Sequence, residues 1–329
     1  MAHEVPYIGA ILEAIDLEMA RDERVLYYGQ NISIPSSLEP LEQRYGSDRV
    51  RLTPISETAE IGIAVGAALA GMRPVVELYM AEFMLVAMDQ VVNEAPRFHY
   101  MSGGQVKVPM VLKAGYGFTC GWAAQHTATI YGMFMGVPGL KIAVPSTAAD
   151  AKGLMAAAIR DDNPVCYFHH LLLTLEHGEV PDGEYVVPFG EASVRRAGKD
   201  VTIVAIGWMV DRALAAAQTL AQQGIEAEVI DPRTLAPLDT ATILESVAKT
   251  GRLVLVDQAT RHASAAAVIA AEVAQEGFEL LRAPIRLITA LDANIAYSEP
   301  MERYVLPDEE EIVAAVGQLL GTRAAAAPA

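Results

Sequence analysis

Cysteine is nearly absent from this sequence: Cys120 and Cys166 are the two in 329 residues, and neither stands in a CxxC or beside a histidine at ligand spacing. That excludes a disulfide-stapled scaffold, argues against a zinc site and fits a reducing compartment. Both thiols are expected to be small buried hydrophobes. Positive charge is also short, with 24 Lys and Arg against 41 Asp and Glu, a formal balance of −17 with no basic cluster. A duplex or an anionic membrane would meet net repulsion, so neither nucleic acid nor membrane is an expected partner. No apolar run reaches the roughly 18 residues that a span needs, and MAHEVPYIGAILEAIDLEMA lacks a basic segment ahead of an apolar one. The expectation is a soluble cytoplasmic protein. Three nucleotide and nucleophile signatures are missing as well: GxGxxG after a strand, GxxxxGK[ST] and GxSxG.

What is present is 52% hydrophobic and 20% charged, with few aromatics and abundant Ala and Gly, a composition suited to helices packed closely on parallel sheets. The length suits two domains. Ile8, Ile11, Leu12 and Ile15 recur at helical spacing, and VLYYG then reads as a buried strand. Residues Thr58–Gly71 are apolar nearly all round and rich in small side chains, which places a helix in the interior or at an interface. Strand-like PVVELYM, helical EFMLVAMDQVVNEA, strand-like KVPMVLKAG and GLKIAVP, helical AADAKGLMAAAIRD and strand-like NPVCYF come next. This βα alternation predicts a mostly parallel sheet. Between about His169 and Ala197 the pattern breaks into a Gly-, Pro- and acid-rich crossing segment, then restarts as a second α/β unit of four or five strands. The predicted fold class is therefore α/β in two domains, residues 1–185 and 186–322, with a disordered tail at 323–329.

Four local features could carry chemistry. Glu57 in TPISE enters the small-residue helix, where spacing alone favours a capping acid. Phe83 in AEFMLVAMDQ reads on periodicity as core. His126 ends the loop GFTCGWAAQH after a parallel strand, where loops form clefts, although a lone histidine is more often structural. His169 and His170 are adjacent and diverge, so one exposed and one packed ring is expected.

A longer pattern runs through the chain in order: TPISE, GIAVGAALAGMRPVVEL, AMDQVVNEAPRFHYMSGG, VPMVLKAGYG, AAQH, PGLKIAVPST, IRDDNPV, GEVP, VIDPRTLAPLD, VAKTGRLVLVDQ and RLITALD. In this the sequence resembles β subunits of thiamine diphosphate-dependent 2-oxo acid dehydrogenases, the group of pyruvate, branched-chain and acetoin dehydrogenases. The resemblance implies a thiamine-pyrimidine-binding parallel-sheet domain followed by a transketolase C-terminal-like α/β domain. It also implies that Glu57 contacts the aminopyrimidine nitrogen and drives the cofactor's activation, that Phe83 packs on that ring, and that His126 handles protons around the 2-oxo acid. The carbonyls of Ala158, Asp161 and Asn163 match positions that offer a structural monovalent cation, K+, its oxygens.

Enzymes of this cofactor hold Mg2+ and diphosphate with a GDG motif and an Asn-containing turn, and this sequence has no GDG. A chain with only the pyrimidine side needs an α-like subunit carrying GDG, in an α2β2 heterotetramer, and the resemblance adds a lipoyl transacylase core as acceptor. Several positions depart from the pattern. Gly29-Gln30-Asn31 replaces GED or GEE, Thr127-Ala128 replaces Ser-Gln, Gly136 replaces a histidine, and His169 replaces a glutamate. The segment before TPISE is also shorter than usual. The implied activity is decarboxylation of a small 2-oxo acid with transfer of the acyl or hydroxyalkyl unit to a lipoyl group. A split transketolase or acyloin-forming synthase with an aldehyde acceptor is the alternative that the changed positions motivate, and a silent scaffold for an α subunit is the third, against which Glu57 and His126 argue.

Overall fold

The computed structural model describes residues 2–30, 39–117 and 121–321. Residues 31–38 of the segment before TPISE, Asn31 among them, Cys120, and the 323–329 tail lie outside the described residues. Two compact units divide the chain: unit 1 is Met1–Thr119 with Gln125–Phe189, and unit 2 is Cys120–Ala124 with Gly190–Ala329.

Unit 1 opens with β1 (Ala2–Pro6) and α1 (Tyr7–Arg21), whose Ile8, Ile11 and Ile15 turn inward as their spacing predicts. Next come β2 (Val25–Gln30), α2 (Glu39–Tyr45), β3 (Val50–Thr53), α3 (Glu57–Leu69) and β4 (Arg73–Met80). After these stand α4 (Phe98–Met101), β5 (Val111–Tyr116), β6 (Lys141–Ala143), α5 (Ala148–Arg160), β7 (Val165–His170) and β8 (His177–Pro181). Six strands lie in the order β6-β7-β5-β4-β2-β3, every pairing parallel. Helix α1 packs on α5, where the buried Glu18 carboxylate takes Arg160 Nη2 at 2.6 Å and Arg21 Nε at 2.8 Å.

Central strands of such a sheet are covered on both faces, so they bury consecutive residues. Each residue of β5 and β7 is buried, and both His169 and His170 are inside, correcting the expectation that one of them faces water. Cys166 is buried as expected, and burial pushes its thiol far up. The segment Ala81–Glu94 is not the regular helix that its composition suggests. A 3-10 turn covers Ala81–Ala87 and a π turn covers Asp89–Glu94. The buried residues Ala81, Met84 and Ala87 recur every third position, which is the eclipsed spacing of a 3-10 helix. The crossing segment also holds a strand the sequence concealed: β8 pairs antiparallel with β1, Ala2 facing Pro181 and Pro6 facing His177.

Unit 2 contains β9 (Ser193–Arg196), β10 (Val201–Ala205), α6 (Met209–Gln222), β11 (Ala227–Asp231), β12 (Thr234–Ala236) and α7 (Thr240–Thr250). β13 (Leu253–Thr260), α8 (Ala265–Glu276), β14 (Arg286–Ala290), α9 (Glu299–Val305) and α10 (Glu309–Leu320) complete it. Its sheet runs β14-β13-β10-β11-β9, parallel except for β9. Val201, Ile203, Val229, Val254 and Val256 form the core with Met209, Ala213 and Leu220 of α6 and Ile312 and Val316 of α10. Helix boundaries obey local chemistry. Asp239 caps α7 through the Thr242 N–H, left-handed Gly251 ends it, and Asp308 with Glu311 forms a capping box on α10. No helix among the described residues is long and apolar enough to cross a membrane.

Candidate active site

The parallel sheet of unit 1 brings the ends of β2 and β3 to the start of α3. Glu57 is the first residue of that helix and is half-buried. Nothing among the described residues hydrogen-bonds or ion-pairs with its carboxylate. The structural work that spacing would give Glu57 is done one turn later by Glu60, which is 2% exposed. Glu60 accepts from Thr53 Oγ1 at 2.7 Å, Gln30 Nε2 at 3.1 Å and the Ser56 N–H at 3.4 Å, so it ties β2, β3 and the helix start together. Ser56 makes no cap bond with its own side chain. With the helix start held this way, Glu57 is an acid without a structural duty.

Beside it, the Thr58 hydroxyl donates to the Val86 carbonyl at 3.1 Å and fixes α3 to the 3-10 turn that carries Phe83. Phe83 is half-buried rather than core, and its ring meets His126 edge-on, centroids 5.5 Å apart at 90°. Two of the sequence-predicted residues are thus in direct contact. Glu82, which spacing did not single out, accepts the backbone N–H of Ala128, two residues beyond His126. Burial raises its carboxyl above the usual range, partly offset by that N–H, and its second oxygen is buried without a hydrogen-bond partner among the described residues. An unmade buried acceptor costs about 1–3 kcal/mol, so this arrangement calls for a reason.

A row of residues in strand register crosses the sheet of unit 1. Gly29, Glu77, Lys113 and Tyr167 are successive partners across β2, β4, β5 and β7. Lys113 Nζ is fully buried and donates to Glu77 Oε1 at 2.7 Å, while the Tyr27 hydroxyl donates to the other oxygen. Gly29 has no room for a side chain, because a Cβ there would stand 2.1 Å from the Glu77 carbonyl oxygen. One step along the same face, His169 is held well below its ordinary pKa, first by burial and then by the Lys113 charge, so it is a neutral ring.

Comparison with known proteins accounts for both units. The family "Transketolase, pyrimidine binding domain" matches residues 3–173 and "Transketolase, C-terminal domain" matches residues 190–312. The chain is 44% identical to the acetoin:2,6-dichlorophenolindophenol oxidoreductase subunit beta of Cupriavidus necator, over 96% of this chain and 97% of that one. It is 41% identical to the pyruvate dehydrogenase E1 component subunit beta of Rickettsia felis, over 93% and 95%. This chain belongs to the transketolase-like family of 2-oxo acid dehydrogenase E1 β subunits. A solved structure named "Split gene transketolase, inactive beta4 tetramer" shares the fold, with a TM-score of 0.80 at 23% identity over 97% of this chain and 99% of that one.

Against the pattern of E1 β subunits, the departures now have places. Gln30 directs its amide into Glu60, so an acid in the helix turn faces the position where the strand's own acid is missing. Thr127 is buried next to His126, Ala128 offers Glu82 its backbone N–H, and a Cβ on Gly136 would meet nothing within 4 Å. In the IRDDNP turn the carbonyl of Asp161 already accepts Arg73 Nη1 at 2.9 Å and that of Ala158 accepts the Asp161 N–H at 3.3 Å. The Asp161 carboxylate takes the Asn163 backbone and side-chain N–H groups at 2.9 Å each and Lys141 Nζ. A cation at this turn would therefore share the Asp161 carbonyl oxygen with the Arg73 guanidinium. Among the described residues no group of three or more His, Cys, Asp or Glu side chains could hold a metal ion.

Proposed function

We propose that this chain, assembled as α2β2 with an α-like partner carrying a GDG motif, decarboxylates a small 2-oxo acid with thiamine diphosphate and passes the acyl or hydroxyalkyl unit to a lipoyl group on a transacylase core, in the cytoplasm. The observation that carries this reading is the division of labour on α3: Glu60 anchors the helix start and leaves the Glu57 carboxyl uncommitted on a helix that Thr58 ties to the 3-10 turn of Phe83, whose ring meets His126. When bound, the cofactor supplies the carbon nucleophile and the electron sink for loss of CO2. Glu57 shares a proton between its carboxyl and the aminopyrimidine ring nitrogen. Phe83 offers a ring face that orients the pyrimidine, and His126 moves a proton at a ring nitrogen beside the 2-oxo acid. Mg2+ and diphosphate fall to the partner, since this chain has no GDG. A K+ ion is assigned to the carbonyls of Ala158, Asp161 and Asn163, sharing that of Asp161 with Arg73.

The test is co-expression with an α-like chain, followed by a screen of 2-oxo acids with dichlorophenolindophenol as acceptor and, separately, with aldehydes. Acetoin joins the screen because the Cupriavidus relative is named for it. Reduction of the dye with a 2-oxo acid supports the reading. Carbon–carbon bond formation with aldehydes and no dye reduction would replace it with the acyloin alternative.

A further inference from the structure

We infer that Glu82 is a positioning residue for His126: its carboxylate grips the Ala128 backbone N–H and thereby fixes the histidine ring against Phe83. The inference rests on the proposed role of His126, but the grip itself stands on geometry. Glu82 and Phe83 are neighbours on one 3-10 turn, so the element that presents the aromatic edge also holds the chain just past His126. Between the two holding points lies Thr127, which is 1% exposed, so the strip from His126 to Ala128 has little freedom of its own. Thr127-Ala128 follows His126, and the alanine side chain has no polar group with which to fasten the loop. The grip therefore runs through the backbone, and it uses one carboxylate oxygen while the other has no hydrogen-bond partner among the described residues. A largely buried carboxylate turned onto the Ala128 N–H, at the cost of an unmade bond at its other oxygen, makes sense where the placement of the adjoining His126 ring matters.

Three variants test this in the assembled complex. Glu82→Leu keeps bulk and removes the acceptor, Glu82→Gln keeps an acceptor oxygen without charge, and Glu82→Asp keeps the charge but shortens the reach. Two readouts are taken: the rate at which diethyl pyrocarbonate modifies His126, followed by peptide mass spectrometry, and kcat with KM on the best 2-oxo acid. Glu82→Leu should change the modification rate at least about threefold and lower kcat about 10- to 100-fold with KM within about twofold, as expected for a misplaced reacting group. Exchange of the thiazolium proton should stay at the wild-type rate. Glu82→Gln should restore both readouts to within about twofold of wild type. If Glu82→Leu does not fold, Glu82→Asp carries the same expectation at smaller size. An unchanged modification rate in Glu82→Leu or Glu82→Asp overturns the grip, as does a Glu82→Gln variant as impaired as Glu82→Leu. A changed modification rate with unchanged kcat reduces Glu82 to a structural part and overturns its positioning role. A wild-type complex that turns over no 2-oxo acid removes the proposed function, and the modification rate then decides the grip alone.

Discussion

The two units differ in the partners that several of their acids take. In unit 2 two buried acids clamp backbone, while a third, Glu228, takes Lys249 Nζ as well as the Gly198 N–H. Asp257 accepts the N–H groups of Ala259 at 2.9 Å and Ala266 at 3.0 Å, and Asp231 accepts that of Arg233 at 2.8 Å. In unit 1 Lys113 and Tyr27 meet Glu77, and Gln30 and Thr53 meet Glu60, while Glu82 clamps the Ala128 N–H. A carboxylate on backbone N–H groups fixes the path of the chain and has no partner that evolution could exchange. A side-chain pair can be rebuilt with another pair. The Lys113–Glu77 pair of unit 1 is therefore replaceable, whereas Asp257 of unit 2 fixes the course of the chain.

The largest expected effect lies in the function of unit 1. Glu57→Gln should slow exchange of the thiazolium proton in the reconstituted complex by about 10²–10⁴, with the melting temperature nearly unchanged, because this carboxyl has no structural bond to lose. His126→Ala should lower turnover by about 10²–10⁴ while leaving that exchange intact, and a reversed result at the two residues would dismiss both assignments. Next comes the contrast itself. Lys113→Met leaves the largely covered Glu77 with the Tyr27 hydroxyl alone and should cost about 3 kcal/mol in urea unfolding, a loss that Glu77→Leu on the same chain partly recovers. Asp257→Ala strands two backbone N–H groups and should cost about 3 kcal/mol, with no side-chain change elsewhere restoring it. Recovery by a second substitution in unit 2, or its absence in unit 1, would erase the distinction. The smallest effect is at the surface. Hydrogen bonds from Arg24 hold the Asp22 carboxyl down at about 2, so its contribution is complete above the ordinary value near 3.8 and lost as pH falls through 2. Asp22→Asn should cost roughly 1 kcal/mol after solvent screening, and the difference from wild type should shrink between pH 4 and 2 in denaturant titrations.

The sheet and most helices were legible because their signal is repetitive: the inward face of α1 and the apolar runs of β4, β5 and β13 state their geometry in the order of residue types. Strand β8 was not, because HGEVP pairs through backbone with β1 and its side chains carry no alternation. The two buried histidines of β7 were misjudged since alternation of faces decides exposure only where one face meets water. At the site, TPISE, Phe83 and AAQH stood out through their place in a long family pattern, and Glu60 was hidden by the acid three residues before it that offered the simpler cap. Glu82 leaves a signal only beside its neighbours: an acid next to the ring residue becomes meaningful once the chain beyond His126 folds onto it.

Gly117, the last described residue before the segment leading to His126, has φ +91°, and a Cβ built on it would stand 2.1 Å from His170 Nε2. Two independent prohibitions coincide there, one written in its own backbone and one in its neighbour's ring. Suppressor genetics would feel the difference. Trimming His170 to alanine opens the space yet leaves the left-handed turn, so Gly117→Ala should find no rescue at position 170, and a library randomised at both codons should still return glycine at the first.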